Sequence, residues 1–264
     1  MPCQSCGKTV NRFLVTCPYC GADPGGERED HPISSTPATT TGLASHGRYR
    51  PLQSQALFVQ LMFGLFILGS IVVIATAWPY RNALLDIAAN RPIRMDDAIL
   101  AEERYEAVSL LLAGANIVLA AGFAVWFWRA YSNLAALGRP RKRKAGWAIG
   151  SWFIPIANFF IPYGIGAEIW TQSRGEPGVG AADRETNMEP VISWWALFLI
   201  MGLVNQVAFF SSADATEDPG RMASLVGLDV LSSVVAIAAA VAAIRFVRLA
   251  TERQEDLARQ LSFL

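Results

Sequence analysis

Apolar residues along the chain fall into long blocks separated by polar stretches, and the first 50 residues contain no such block. Four blocks have about 20 residues each, enough for an α-helix rising 1.5 Å per residue to cross a hydrocarbon core of roughly 30 Å. Tryptophans at several block ends fit the interfacial belts of membrane helices. These blocks predict an all-α integral membrane domain over residues 51–250. Its spans are expected at about residues 55–78, 107–128, 191–210 and 223–244.

The second predicted span belongs to a longer helix. Asp96 and Asp97 suit a helix N-terminus, and no proline follows them until Pro140. Gly138, just before that proline, suits the C-terminal end of the helix. The helix should therefore have about 40 residues, a length of roughly 60 Å, and project from both faces of a membrane.

Basic residues cluster at the ends of the spans that should share one side of the membrane. They are Arg48, Arg50, Arg129, Arg139, Arg141, Lys142, Arg143, Lys144, Arg245, Arg248 and Arg253. The loop at residues 213–220 contains acids and no base. The positive-inside rule therefore places both termini in the cytoplasm, with residues 251–264 as a cytoplasmic tail. Because the formal net charge is zero, nucleic acid is not an expected partner.

A cysteine pattern typical of a zinc ribbon lies near the start of the chain. Cys3 and Cys6 are followed by a glycine, and the same pattern recurs at Cys17 and Cys20. Four thiolates satisfy a tetrahedral Zn²⁺ ion. A module of residues 1–24 is too small to form its own core, so a structural zinc ion would supply most of its folding free energy. The alternative is two disulfides in a secreted peptide, which the lack of a signal-peptide pattern disfavours.

Residues 25–50 are rich in Gly, Pro, Ser and Thr and are predicted to form a flexible linker. Both histidines, His31 and His46, lie in this linker, and all four cysteines precede it. The predicted spans therefore contain neither a histidine base nor a cysteine nucleophile.

The segment at residues 147–170 is mostly apolar and about long enough to cross a membrane, yet it contains Pro155, Pro162 and Glu168. Each proline removes a backbone donor and clashes with the preceding turn, so we expect the segment to break into short pieces. A single crossing would also move the arginines after the fourth span to the outer side, against the positive-inside rule. We expect this broken segment (residues 147–170) to lie in the interface or to dip in and return. The alternative is a kinked fifth span.

Two stretches and a Trp-Trp pair carry a resemblance to a known family. The stretches read FWRAYSNLAALG and GWAIGSWFIPIANFFIPYGIGAEIWTQS. They resemble the bacterial multispanning membrane family known only as a domain of unknown function, over roughly residues 55–250. The resemblance implies a multi-pass protein of the bacterial cell (inner) membrane, in which a preceding zinc ribbon is a familiar arrangement, and it implies no activity. The matching positions are Trp128, Arg129, Asn133, Leu137, Gly138, Trp147, Phe153, Pro155, Asn158, Pro162, Tyr163, Glu168, Trp170, Trp194 and Trp195.

Polar residues within this motif form the first candidate site. Arg129 and Asn133 are four residues apart and therefore share a helix face. We expect Arg129 to pair with Glu168, and Asn133 and Asn158 to satisfy backbone groups that the prolines leave free. Together with Tyr163, these residues are either a structural clasp or a site for a lipid headgroup or another small anionic ligand.

A second set of polar side chains lies inside the predicted spans, about 8–14 Å below the outer surface. Because such side chains are costly when they face lipid, we expect them to face one another. They form either an interhelical hydrogen-bond lock or a functional site, for example for transport coupled to protons through an aspartate. The residues are Ser70, Asn116, Asn205, Gln206 and Asp229.

The basic run at residues 139–144 directly follows the second predicted span. Such runs attract anionic lipid headgroups at about 1 kcal/mol per charge. They also serve as ordinary topology signals, and the two roles are compatible.

These patterns together predict a non-enzymatic membrane protein whose cytoplasmic zinc ribbon makes protein contacts or senses a signal. Its expected partners are membrane lipids and a protein bound by the ribbon. The rival interpretation is a transporter or lipid-handling protein with its site near Arg129, Asn158 and Glu168. A hydrolase would need two carboxylates, or a nucleophile and a base, in one cavity. Glu168 and Asp229 are instead predicted on opposite sides of the membrane.

Overall fold

The computed structural model describes residues 8–9, 48–174, 187–212 and 218–262. The chain divides into two units, Met1–Ser45 and His46–Leu264. The four cysteines of the predicted zinc ribbon, and most of the predicted linker, lie outside the described residues. Every helix of the described residues belongs to the second unit.

Helices account for nearly all of the described part of this unit. In chain order they are α1 (Gln53–Ala88), α2 (Met95–Ala136), α3 (Trp147–Gly150), a 3₁₀ turn (Ser151–Phe153), α4 (Pro155–Gln172), α5 (Glu189–Ser212) and α6 (Pro219–Ser262). Four of them, α1, α2, α5 and α6, are long and apolar enough to cross a membrane. Each contains one of the four predicted spans, which confirms that part of the predicted fold class.

Three of the four long helices extend well beyond the predicted spans. α2 begins at Met95 with Asp96 and Asp97 in its first turn, and Gly138 follows its end with a positive φ of 68°, as predicted. α1 continues through Pro79 to Ala88. It does so because Tyr80 and Leu84, beyond the proline, are buried in a small apolar cluster with residues of α6.

α6 continues as a helix through Ser262, so residues 251–262 of the expected cytoplasmic tail are part of this helix. Thr251, Gln254 and Leu257 are buried on one side of the helix. Their spacing of three residues keeps them on a common face, which packs into the bundle and holds the helix in place.

The long helices pack side by side, with α1 between α2 and α6, and with α5 on the other side of α6. We call the end where α1 begins, α2 ends and residues 139–144 follow the basic end. There α4 lies against α2, α5 and α6. The main apolar core is also at this end and is built from aromatic rings, with the ring centroids of Trp194 and Phe246 4.7 Å apart.

Large apolar side chains cover much of the outside of the bundle. Leu110, Leu111 and Ile117 of α2 and Leu65 of α1 are each more than half exposed. An exposed apolar surface of this extent is unusual on a soluble protein, and it suits helices that contact lipid.

The broken segment consists of α3, the 3₁₀ turn and most of α4. Ile154 has an extended backbone (φ −105°, ψ 111°), as expected for a residue before proline. Pro155 starts α4, where its missing N–H has no helical partner to lose. Pro162 lies inside α4, so the expectation that both prolines break the segment is wrong for Pro162. Pro162 is itself buried, and packing of this part of α4 against the bundle offsets the lost hydrogen bond.

Both ends of the broken segment contact the same level of α2. Just before the segment, the N–H of Arg143 donates to Tyr131 Oη at 3.1 Å. Just after it, Ser173 Oγ accepts a hydrogen bond from Gln254, whose amide also donates to the Ala130 carbonyl. Because Ala130 and Tyr131 are adjacent, the segment returns to the level at which it starts and does not cross the bundle.

Candidate functional site at the basic end

Glu168 joins three parts of the chain at the basic end. Tyr131 Oη donates to its Oε2 at 2.8 Å, and the backbone N–H of Lys142 donates to the same oxygen at 3.0 Å. Its other oxygen, Oε1, lies 3.6 Å from a guanidinium nitrogen of Arg143. The Glu168 residue is 7% exposed. We call this arrangement of Tyr131, Lys142, Arg143 and Glu168 the clasp.

Other residues of the basic run at 139–144 also contact the bundle. Arg141 lies over the Tyr131 ring, 5.7 Å from its centroid, within range of a cation–π interaction. Arg139 donates to the Arg174 carbonyl at 3.1 Å. These contacts fix the path of the chain between α2 and α3.

Arg129 lies on the opposite side of α2 from the clasp. Gly122 marks the side of α2 that faces α1, because a Cβ there would lie 2.8 Å from the Phe58 ring. Arg129 follows Gly122 by seven residues, nearly two helical turns, and so faces the same way. Tyr131 comes two residues later and points about 200° away, toward α4. The expected pair of Arg129 with Glu168 is therefore wrong, and Arg143 is the ion-pair partner of Glu168.

Asn133 shares its side of α2 with Arg129, as expected, but its partners differ from those predicted. Its amide nitrogen donates to the Arg50 carbonyl at 2.8 Å and to Gln254 Oε1 at 3.2 Å. Its oxygen accepts from the Arg50 N–H at 3.1 Å. Asn133 thus satisfies the backbone just before α1, and the expectation that it serves groups freed by proline is wrong.

Gln254 is the centre of this buried polar network. It is 0% exposed, and its amide nitrogen donates to the Ala130 carbonyl at 3.1 Å and to Ser173 Oγ at 3.2 Å. Its oxygen accepts from Asn133. One side chain of α6 therefore holds α2, the residue after α4 and, through Asn133, the chain before α1. We call Asn133, Ser173 and Gln254 the polar hub.

The chain entering α1 is held by α6 as well. Glu255 Oε1 accepts a hydrogen bond from the N–H of Leu52 at 2.6 Å, and Leu52 is fully buried. Burial first, and then the negative charge of Glu255, raise the pKa of Tyr49 above its usual range. The Tyr49 phenol therefore stays neutral at physiological pH.

Trp170, near the end of α4, contacts α6 and the residues before α5. Its indole N–H donates to the Asn187 carbonyl at 2.9 Å. The Arg253 guanidinium lies 3.5 Å from the centroid of its ring, close enough for a strong cation–π contact. The motif tryptophan thus links α4 to α6 and to the residues before α5.

The remaining motif residues do not join the clasp. Oδ1 of Asn158 is buried without a hydrogen-bond partner in the described part of the chain, so Asn158 does not relieve the backbone as expected. Tyr163 is half-buried and packs against the aromatic core. The predicted combined site of Arg129, Asn158 and Glu168 is therefore not assembled.

The five polar residues predicted inside the spans do not form a cluster either. Asp229 accepts a hydrogen bond from Tyr105 Oη at 2.8 Å, Asn205 accepts one from Ser232, and Ser70 donates to the Phe66 carbonyl of its own helix. Asn116 and Gln206 are exposed. The prediction failed because each partnered side chain finds a residue outside the predicted set.

The clasp and the hub are chemically suited to holding the chain together. Each hydrogen-bonded group in them binds another element of the fold. Within residues 8–9, 48–174, 187–212 and 218–262, no three His, Cys, Asp or Glu side chains converge to hold a metal ion. Sequence reasoning identified Glu168 and Asn133 but missed Tyr131, Arg143 and Gln254 as their partners.

Comparison with known proteins identifies a family and no nearer relative. No curated protein and no solved structure matches the chain. A family model described as a domain of unknown function (DUF4328) matches residues 89–252. This match extends from just before α2 to a point in α6 two residues before Gln254. It includes all four residues of the clasp. The chain belongs to the DUF4328 family.

Proposed function

We propose that the protein is a non-enzymatic integral membrane protein of the bacterial cell membrane that presents an N-terminal zinc ribbon at the cytoplasmic face. The four long apolar helices support insertion in a membrane. The basic residues at the ends of α2 and α6 support the orientation. The ribbon then makes protein contacts or senses a signal close to the membrane.

The main support for an anchoring role comes from the chain just before α1, which is attached to the bundle. The Arg50 N–H and carbonyl are both bonded to Asn133, and Leu52 is bonded to Glu255. The segment leading from the N-terminal unit is thus fixed to α2 and α6 before the first helix begins. A fixed attachment point suits a membrane domain that anchors a small binding module.

A structural role for the clasp supports the non-enzymatic part of the proposal. A catalytic carboxylate must be within reach of a substrate. Glu168 is buried and occupied by Tyr131 and the Lys142 N–H. Its bonds instead fix the broken segment to α2.

The zinc ribbon rests on the spacing of its cysteines. Cys3, Cys6, Cys17 and Cys20 form two pairs with the spacing of zinc-ribbon ligands. With four thiolates the coordination shell is complete, which supports a structural rather than a catalytic zinc ion.

Metal analysis of the full chain, purified in mild detergent, tests the ribbon. We expect about one zinc ion per chain in the natural protein and none in the C3S/C6S and C17S/C20S variants. The S5A variant, changed between two ligands, is the matched control and should retain zinc. Zinc-free natural protein, or zinc retained when all four cysteines are replaced by serine, would contradict the assignment.

In-cell crosslinking of the full chain tests the role of the ribbon. A genuine partner should crosslink to the natural protein and to S5A, and the crosslink should be lost in C3S/C6S. If identical crosslinks form in C3S/C6S, the ribbon is not the binding module.

A further inference from the structure

One ridge of α4 has exposed apolar side chains at one end and lies under the cationic side chain of Arg143 at the other. Ile156, Phe160, Gly164 and Glu168 are spaced by four residues and so form a ridge along the helix. Ile156 is 77% exposed and Phe160 is 70% exposed. Toward the other end of the ridge the exposed apolar side chains give way to Gly164 and the buried Glu168.

The guanidinium of Arg143 lies over this second part of the ridge. A Cβ on Gly164 would be 3.4 Å from Arg143 Nη1, and the same nitrogen is 3.6 Å from Glu168 Oε1. Gly164 therefore provides the shallow place in which the guanidinium lies. The side chain of Arg143 is 36% exposed, so it retains donors that an incoming anion can reach.

The charge around Arg143 is strongly positive. Residues 139–144 contain five basic residues and no acid, and within the described part of the chain Glu168 is the acid that contacts them. Lys142 and Lys144 are exposed, and neither ammonium group has an ion-pair partner within the described part of the chain. The cations thus exceed what the clasp neutralises.

We propose that this ridge binds one anionic phospholipid. The phosphate contacts Arg143, with Lys142 and Lys144 beside it, and the acyl chains follow Phe160 and Ile156. Arginine pairs well with phosphate because its planar fork of donors matches the phosphate oxygens. A lipid fits better than a free phosphate because exposed apolar side chains continue directly from the cationic part of the ridge.

Native mass spectrometry of the full chain in detergent tests the site. The probes are dioleoyl phosphatidylglycerol, dioleoyl phosphatidylcholine and the water-soluble headgroup analogue glycerol 3-phosphate. We expect the first phosphatidylglycerol molecule to bind with a lower dissociation constant than the first phosphatidylcholine molecule. Glycerol 3-phosphate should not displace it. Displacement at similar concentration would show that the site recognises the phosphate alone and would overturn the lipid assignment.

Charge variants locate the headgroup. The K142Q/K144Q variant changes exposed side chains that do not contact Glu168, and it should bind phosphatidylglycerol about fivefold more weakly for each charge removed. The control R248Q/R259Q removes two exposed charges from α6 and should bind nearly as well as the natural protein. Equal losses in the two double variants would show unspecific attraction and overturn the site.

An apolar pair of variants locates the acyl chains. F160A should weaken binding of the first lipid. F209A, at an equally exposed phenylalanine on α5, should not. If F160A binds phosphatidylglycerol as well as F209A does, the lipid does not lie along this ridge.

Discussion

The clasp makes a quantitative prediction about energetic coupling between α2 and α4. Replacing Glu168 with alanine removes the acceptor of two hydrogen bonds, those from Tyr131 Oη and the Lys142 N–H. Replacing Tyr131 with phenylalanine removes the first of these bonds and leaves the Arg143 N–H without its acceptor. If the clasp holds the broken segment, the two changes should not be additive.

The expected losses in the free energy of unfolding follow from the hydrogen bonds that each change removes. A hydrogen bond to a charged group contributes about 1.5–3 kcal/mol, so Glu168→Ala should lower the free energy of unfolding by about 3–5 kcal/mol and Tyr131→Phe by about 2 kcal/mol. The ion pair with Arg143 adds little, because its atoms are 3.6 Å apart and the arginine is 36% exposed to screening solvent. The double variant should be about 1.5–2 kcal/mol more stable than the sum of the single losses predicts.

Equilibrium unfolding in mixed micelles, followed by tryptophan fluorescence, measures these free energies, because several of the eight tryptophans lie in the aromatic core at the basic end. Arg129→Gln is the matched control. It removes a charge from the same helix, two residues from Tyr131, but on the side that faces away from Glu168. Its coupling to Glu168→Ala should be below about 0.5 kcal/mol.

The reverse pattern of couplings would show that Tyr131 and Glu168 do not hold the segment together. Additive losses for Tyr131 and Glu168, together with a coupling above about 1 kcal/mol for Arg129 and Glu168, would restore the pairing expected from sequence alone.

Two further predictions concern the packing of α4 and the polar hub. Gly166→Ala should be about 1–3 kcal/mol less stable than Gly164→Ala, because its Cβ would lie 3.0 Å from the buried Trp194 ring. In Gly164→Ala the nearest atom is the flexible end of Arg143, so equal unfolding free energies would show that α4 does not pack closely on α5. Gln254→Leu should lower the unfolding free energy by about 3 kcal/mol, because Asn133, Ser173 and the Ala130 carbonyl lose buried partners. Gln260→Leu, at an exposed glutamine near the end of the same helix, should change it by less than about 0.5 kcal/mol, and similar losses in the two variants would argue against the hub.

The spans could be predicted from sequence because membrane crossing depends on the length and composition of single segments. The same local reasoning placed the start of α2 at Asp96 and Asp97 and its end at Gly138. It was wrong for Pro162, where tertiary packing outweighs the local signal. The helix at residues 251–262 was not predicted, because the side chains on its buried face, Ala250, Gln254 and Leu257, do not form a purely apolar stripe.

The partners of the site residues could not be predicted in the same way. The motif identified Glu168. Helix geometry places Tyr131 and Arg129 on opposite sides of α2, so only one of them can face Glu168. The packing of α4 against the Tyr131 side of α2 decides that it is Tyr131. Asn133 and Gln254 are 121 residues apart along the chain. Contacts of such separation arise from the arrangement of whole helices, which composition and periodicity do not determine.

We expect the broken segment to return to the side of the membrane from which it starts. The most direct test places single cysteines at Lys144 and Asn187, both exposed and on either side of the segment, in a variant whose four natural cysteines are replaced by serine. Labelling with a membrane-impermeant maleimide is compared between intact cells and inverted membrane vesicles. We predict that both positions are labelled in the vesicles and neither in intact cells. Labelling of the two positions from opposite sides would show that the segment is a fifth span.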